Sequence, residues 1–199
     1  MNKQKEIIKQ ISDRELMANF YLSQGILLIL SLSLTPFFFS SFWEVFSLFH
    51  FERVKQVLII GGGAGLLVVL LDLVLIKLLP ASFFDDGGIN ERLFTNRGFW
   101  KIVWISLLVA FCEELLFRGV IQTNFGIVIA SLIFAMIHVR YLNNKFLFVY
   151  VVLLSFLIGY IYKITANLAA TFMMHFVIDC FLGLYIYIKN GRTNTDIQK

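Results

Sequence analysis

Charge is scarce in this chain. Only 15% of its 199 residues are Asp, Glu, Lys or Arg, against roughly a quarter in a soluble domain, and no polar stretch is long enough to build one. Cysteine is scarcer still. Cys112 and Cys180 are the only two, both in apolar runs, so a disulfide framework is excluded and each reads as a small buried hydrophobe. A cysteine nucleophile would need a histidine partner that the spacing does not supply. No basic stripe interleaves with exposed aromatics, so the net charge of +4 points to basic membrane flanks and away from nucleic acid. Neither an internal repeat nor a low-complexity segment is present.

What abounds is apolar: 59% of the residues are hydrophobic, 22 of them Phe. A helix needs roughly 20 apolar residues to cross ~30 Å of hydrocarbon. Met17 to Trp43 qualifies, with Pro36 near its far end, and it is too long for a cleaved signal peptide. Val57 to Leu79 follows, stopped by Pro80. Its Gly61-Gly62-Gly63-Ala64-Gly65 run lacks the Lys-Ser/Thr of a phosphate loop and predicts close helix packing instead. Asp72 and Lys77 in that span are expected to pair with each other.

A polar stretch, 80–101, turns at Asp85-Asp86-Gly87-Gly88. Further spans run from Ile102 to Gln122, from Asn124 to about His138, from Phe146 to Tyr162 and from Asn167 to Ile188. The expected fold is therefore all-α, a polytopic membrane protein of about six transmembrane helices. Its organisation reads as N-terminal helices over 1–99, a core over 100–188 and a tail over 189–199.

Six spans place both termini on one side. With that side cytoplasmic, Lys3, Lys5, Lys9, Arg14, Lys77, Arg92, Arg97, Lys101, Arg140, Lys145, Lys189, Arg192 and Lys199 lie inside, 13 of the 17 positive residues. Arg53, Lys55, Arg118 and Lys163 lie outside or within a helix. The expected location is a cell membrane, crossed several times, with both termini cytoplasmic.

Ionisable residues cost at least a few kcal/mol each in a bilayer core and are usually functional there. Three motifs carry them here: Glu-Glu-Leu-Leu-Phe-Arg at 113–118, Phe-Ala-Met-Ile-His at 134–138, and His-Phe-Val-Ile-Asp at 175–179. At ~1.5 Å per residue, Glu113, His138, His175 and Asp179 lie roughly 12–18 Å from the outer helix ends, in one layer. Glu114 and Arg118 form an acid-to-base i,i+4 pair, which an arginine needs because it cannot shed its charge. Glu113 is rotated ~100° away and left for another task. Alone, a Glu-Arg pair is a packing clamp and a lone His an interfacial residue. Only the three motifs at one depth point to chemistry.

The ordered motifs resemble those of the CPBP family, the CAAX-prenyl protease and bacteriocin-processing proteins, also called Abi. The family pattern is Glu-Glu-x-x-x-Arg, Phe-x-x-x-His and His-x-x-x-Asn or Asx. It is matched over about 100–188 by Glu113, Glu114 and Arg118, by Phe134 and His138, and by His175 and Asp179. Asn167-Leu168 also resembles the approach to the last motif. The departure is Asp179, where many catalytic members carry Asn; an amide donates to an oxyanion and an ionised carboxylate does not.

The resemblance implies an intramembrane endopeptidase acting on peptide or membrane-protein substrates, in contact with membrane lipid. Two mechanisms fit it. In one, Glu113 with His138 activates water, while His175 with Asp179 stabilises the oxyanion. In the other, His138, His175 and Glu113 hold Zn²⁺ with one position open for water. HExxH is absent. Bacteriocin processing or self-immunity in a bacterium is the setting that analogy favours. The alternatives are a catalytically silent membrane partner that uses the same pocket and a small ion-coupled transporter; the missing repeat speaks against the transporter.

Overall fold

The computed structural model describes residues 10–95, 97–138 and 141–196, with side chains described as far as 190. Of the positive residues counted above, Lys3, Lys5, Lys9, Arg140 and Lys199 lie outside the described residues, as does the side chain of Arg192. Every regular element among the described residues is helical. Five helices among the described residues are long and apolar enough to cross a membrane, and the protein is a multi-pass membrane protein.

α1 (Asp13–Phe38) begins four residues before the apolar run predicts, because Ser12 and Glu15 cap each other. The Ser12 N–H donates to Glu15 Oε2 at 2.7 Å and the Glu15 N–H to Ser12 Oγ at 3.2 Å, satisfying two helix-end donors. α1 ends at Phe38, two residues past Pro36 and short of the predicted Trp43.

α2 (Gln56–Leu78) opens with a π-helical turn, Gln56–Gly62. Its glycines serve the predicted close approach. A Cβ on Gly65 would lie 2.8 Å from the Met174 carbonyl oxygen, and one on Gly61 would overlap that of Ala170. The pairing expected between Asp72 and Lys77 is not found. Asp72 is buried and accepts from the Tyr150 hydroxyl, while Lys77 is exposed. Five residues along a helix is ~500°, which puts the two side chains on different faces.

After a short 3₁₀ turn (Ala81–Phe84) and α3 (Ile89–Phe94), α4 (Phe99–Glu114) runs on through a π-helical stretch, Leu115–Gln122, into α5 (Thr123–Ile137). These 39 residues do not form one rod. Gly126 has φ 83° and ψ 170°, a conformation that glycine adopts at no steric cost, and the chain reverses there. The rings of Phe117 and Phe134, which would be ~25 Å apart along a straight helix, lie 5.0 Å apart. The third and fourth predicted spans are thus the two arms of a hairpin. The returning arm, 127–137, is only ~16 Å long, about half a bilayer, and it ends at His138.

α6 (Lys145–Thr165) and α7 (Leu168–Asp196) complete the bundle. Asn167 fixes the start of α7: its Oδ1 accepts from the N–H groups of His50 and Ala169, each at 3.0 Å, and its Nδ2 donates to the His50 carbonyl at 3.1 Å. α7 then runs antiparallel to α4, which brings Gly183 against Ile102 and His175 against Glu114.

Candidate active site

The polar cluster grows from the junction of α4 and its π-helical continuation. A π-turn widens the helix and re-aims the side chains around it. Glu114 is the last residue before it and is fully buried; Arg118, one turn on, is 1% exposed. Glu114 Oε1 stands 3.4 Å from Arg118 Nη1, the predicted i,i+4 pair. Arg118 Nη2 also donates to the Ser155 carbonyl at 3.0 Å and to Ser155 Oγ at 3.1 Å, and its guanidinium lies 4.8 Å from the centre of the Phe134 ring. A charge that cannot be shed is therefore met by acceptors from α4 and α6 and by a ring of α5.

His175 of α7 enters this cluster. Its Nδ1 lies 2.9 Å from Glu114 Oε1, its Nε2 is 3.9 Å from Glu113 Oε2 and 3.5 Å from Asp179 Oδ2. Glu114 thus has a second duty that its helical spacing does not reveal: it orients the imidazole. Glu113, placed by rotation away from Glu114, still reaches the other ring nitrogen. Both glutamates flank one histidine.

His138 caps α5. Its backbone N–H donates to the Ala135 carbonyl at 3.2 Å, and its Nδ1 lies 2.7 Å from the Phe134 carbonyl oxygen. A carbonyl only accepts, so Nδ1 carries the proton and in the neutral ring Nε2 holds the lone pair. The Phe134 ring links the motifs, with its centre 4.6 Å from that of His138 and 6.3 Å from that of His175. Glu113, Glu114, Arg118, His175 and Asp179 thus form one cluster, and His138 joins it through Phe134.

Two contributors escaped sequence reasoning. Ser155 supports Arg118, and its one signal is a hydroxyl in an otherwise apolar span. Gln122 donates to the Gly159 carbonyl at 2.7 Å, one turn beyond the Arg118–Ser155 contact, and repeats the clamp of α6 onto the π-helical stretch. Cys112 and Cys180 are buried free thiols.

The donor chemistry suits zinc in part. Each histidine has its Nδ1 engaged by an oxygen, the arrangement that presents Nε2 to a metal. A metal also needs convergence, and among the described residues no three His, Cys, Asp or Glu side chains come together as a ligand set. His138, His175 and Glu113 do not fit the ion as arranged, and no step below passes through it.

The family model described as type II CAAX prenyl endopeptidase Rce1-like matches residues 95–181, from just before α4 to just past Asp179. The uncharacterized protein YpbD of Bacillus subtilis (strain 168) is 40% identical over 156 residues, which are 78% of this chain and 82% of that protein. No solved structure matches. With the acids and histidines of this cluster inside the matched segment, the chain belongs to the type II CAAX prenyl endopeptidase Rce1-like family of membrane proteases.

Proposed function

We propose that this chain hydrolyses a peptide bond in a membrane-associated peptide or protein, with the chemistry held at Glu113, His138 and His175. The observation that carries this reading is the buried His175, tied by Nδ1 to Glu114 while Nε2 faces Glu113 and Asp179. Glu114 is engaged by Arg118 and His175 and is the orienting group. Glu113, with the Nε2 lone pair of His138, draws a proton from the attacking water and returns it to the leaving amine as the oxyanion collapses and the C–N bond breaks. With a second proton on Nε2, His175 donates to the oxyanion, and the surrounding carboxylates balance its charge. The distribution of Lys and Arg supports a cytoplasmic side for both termini.

One observation favours a second reading, a catalytically silent binding or regulatory partner. Asp179 puts a carboxylate 3.5 Å from His175 Nε2, where an amide would supply a donor. The name of the family points to prenylated C-terminal peptides as substrate, and the setting drawn by analogy, bacteriocin processing or self-immunity, points to unmodified leader peptides.

Purified protein in liposomes, offered internally quenched peptides with and without a C-terminal farnesyl-cysteine, separates these readings. Cleavage of either class by the wild type, lost in Glu113→Gln, supports the protease, and the class that is cut names the substrate. Binding without cleavage, unchanged in Glu113→Gln, supports the silent partner. Repeating the assay after chelation and zinc addition tests the metal alternative.

A further inference from the structure

His138 owes its orientation to more than its own helix. Two backbone bonds follow α5: the Tyr141 N–H donates to the His138 carbonyl at 2.9 Å, and the Asn144 N–H to the Tyr141 carbonyl at 2.9 Å. They bring the Tyr141 ring onto the His138 ring, with centres 5.8 Å apart and planes within 10°. Tyr141 is 7% exposed and packs with Phe117, Phe134 and Ala135.

The Tyr141–Asn144 turn is fastened to the segment between α2 and α4. Asn90 Nδ2 lies 3.4 Å from the Tyr141 hydroxyl, and Asn90 is itself held by Asp86, whose Oδ2 accepts from its N–H at 2.9 Å. Three residues beyond Tyr141, Asn144 Nδ2 donates to the carbonyls of Ser82, Phe83 and Asp85 at 3.1, 2.9 and 3.2 Å. The segment over 81–94 thus grips the turn at two points.

A histidine's χ2 is soft and roughly two-fold, and a half-turn exchanges Nδ1 for a carbon and breaks the bond to the Phe134 carbonyl. A ring stacked nearly parallel fixes the plane of the imidazole, and within that plane the Phe134 carbonyl selects the Nδ1–H edge, whereas an aliphatic side chain fills the volume without defining a plane. We propose that Tyr141 is a positioning residue for His138: it holds the imidazole as the Nδ1–H tautomer, with the Nε2 lone pair set to accept a proton. The catalytic half of this statement rests on the role given to His138 above; the tautomer half does not.

The chain has three histidines, so a protein labelled with ¹⁵N-histidine gives three ring patterns, of which His138→Gln identifies one. In micelles the wild type and Tyr141→Phe are expected to show His138 as one Nδ1–H tautomer. Tyr141→Leu moves both of its ring nitrogens toward averaged values and leaves His175 in place. On whichever quenched peptide the wild type cleaves, Tyr141→Leu lowers kcat about tenfold at unchanged KM, and Tyr141→Phe stays within about twofold. Should Tyr141→Leu fail to accumulate, Tyr141→Met takes its place in both measurements. A wild-type His138 pattern in the aliphatic variant overturns the proposal. A wild type that cleaves no peptide counts against the protease reading alone, because the tautomer measurement stands without turnover.

Discussion

Glu114 and Asp72 are both buried carboxylates in apolar helices, and they are held very differently. Glu114 lies where α4, α6 and α7 meet, within reach of Arg118 and His175, with Ser155 completing the shell around the guanidinium. Asp72 answers to one partner, the Tyr150 hydroxyl, across α2 and α6. A carboxylate with a single neutral donor joins two helices. One that shares its oxygen between a cation and an imidazole fixes the angle of the imidazole, which chemistry requires and packing does not. The contrast separates a structural acid from a site acid better than burial, which is near complete for both.

The comparison breaks first at Glu114. Glu114→Ala leaves Arg118 without its carboxylate in the bundle interior and is expected to cost about 3–5 kcal/mol, read as loss of folded protein in detergent extracts. Asp72→Leu strands one hydroxyl and is expected to cost about 1–3 kcal/mol, with turnover per folded molecule unchanged. A fall in turnover at wild-type stability would move Asp72 into the site. Ser155→Ala removes one of two acceptors that a single residue offers Arg118, and should cost about 0.5–1.5 kcal/mol in thermal unfolding. Asp179→Asn alters stability least, by about 0.5 kcal/mol or less, since Asp179 is partly exposed. It keeps or raises cleavage if an oxyanion donor is wanted at 179, and lowers both metal content and cleavage if the carboxylate is a ligand.

Much of this was legible in the chain. Apolar length marked the spans, and the four-residue step from Glu114 to Arg118 marked their pair, because both follow from helix geometry alone. The histidine bond of Glu114 was not legible. Sixty-one residues separate it from His175, and no spacing reports how α4 and α7 are rotated against each other. For the same reason Asp72 was matched to the nearest cation in sequence when its partner lies 78 residues away. The half-length arm of α5 went unseen because hydropathy measures apolar length and Gly126 reverses the chain inside an apolar run. Asn167 was marked as a span start and by a resemblance, and its clamp on His50 became visible once the loop before α2 was placed.

In the proposed mechanism Glu113 does chemistry while its neighbour Glu114 holds the site together. It is tested most directly by the cleavage rate of Glu113→Gln on the peptide that the wild type cuts, with thermal unfolding followed on the same preparation. Wild-type unfolding and a rate reduced by about 10² or more are expected. Full cleavage by a normally folded Glu113→Gln protein contradicts it.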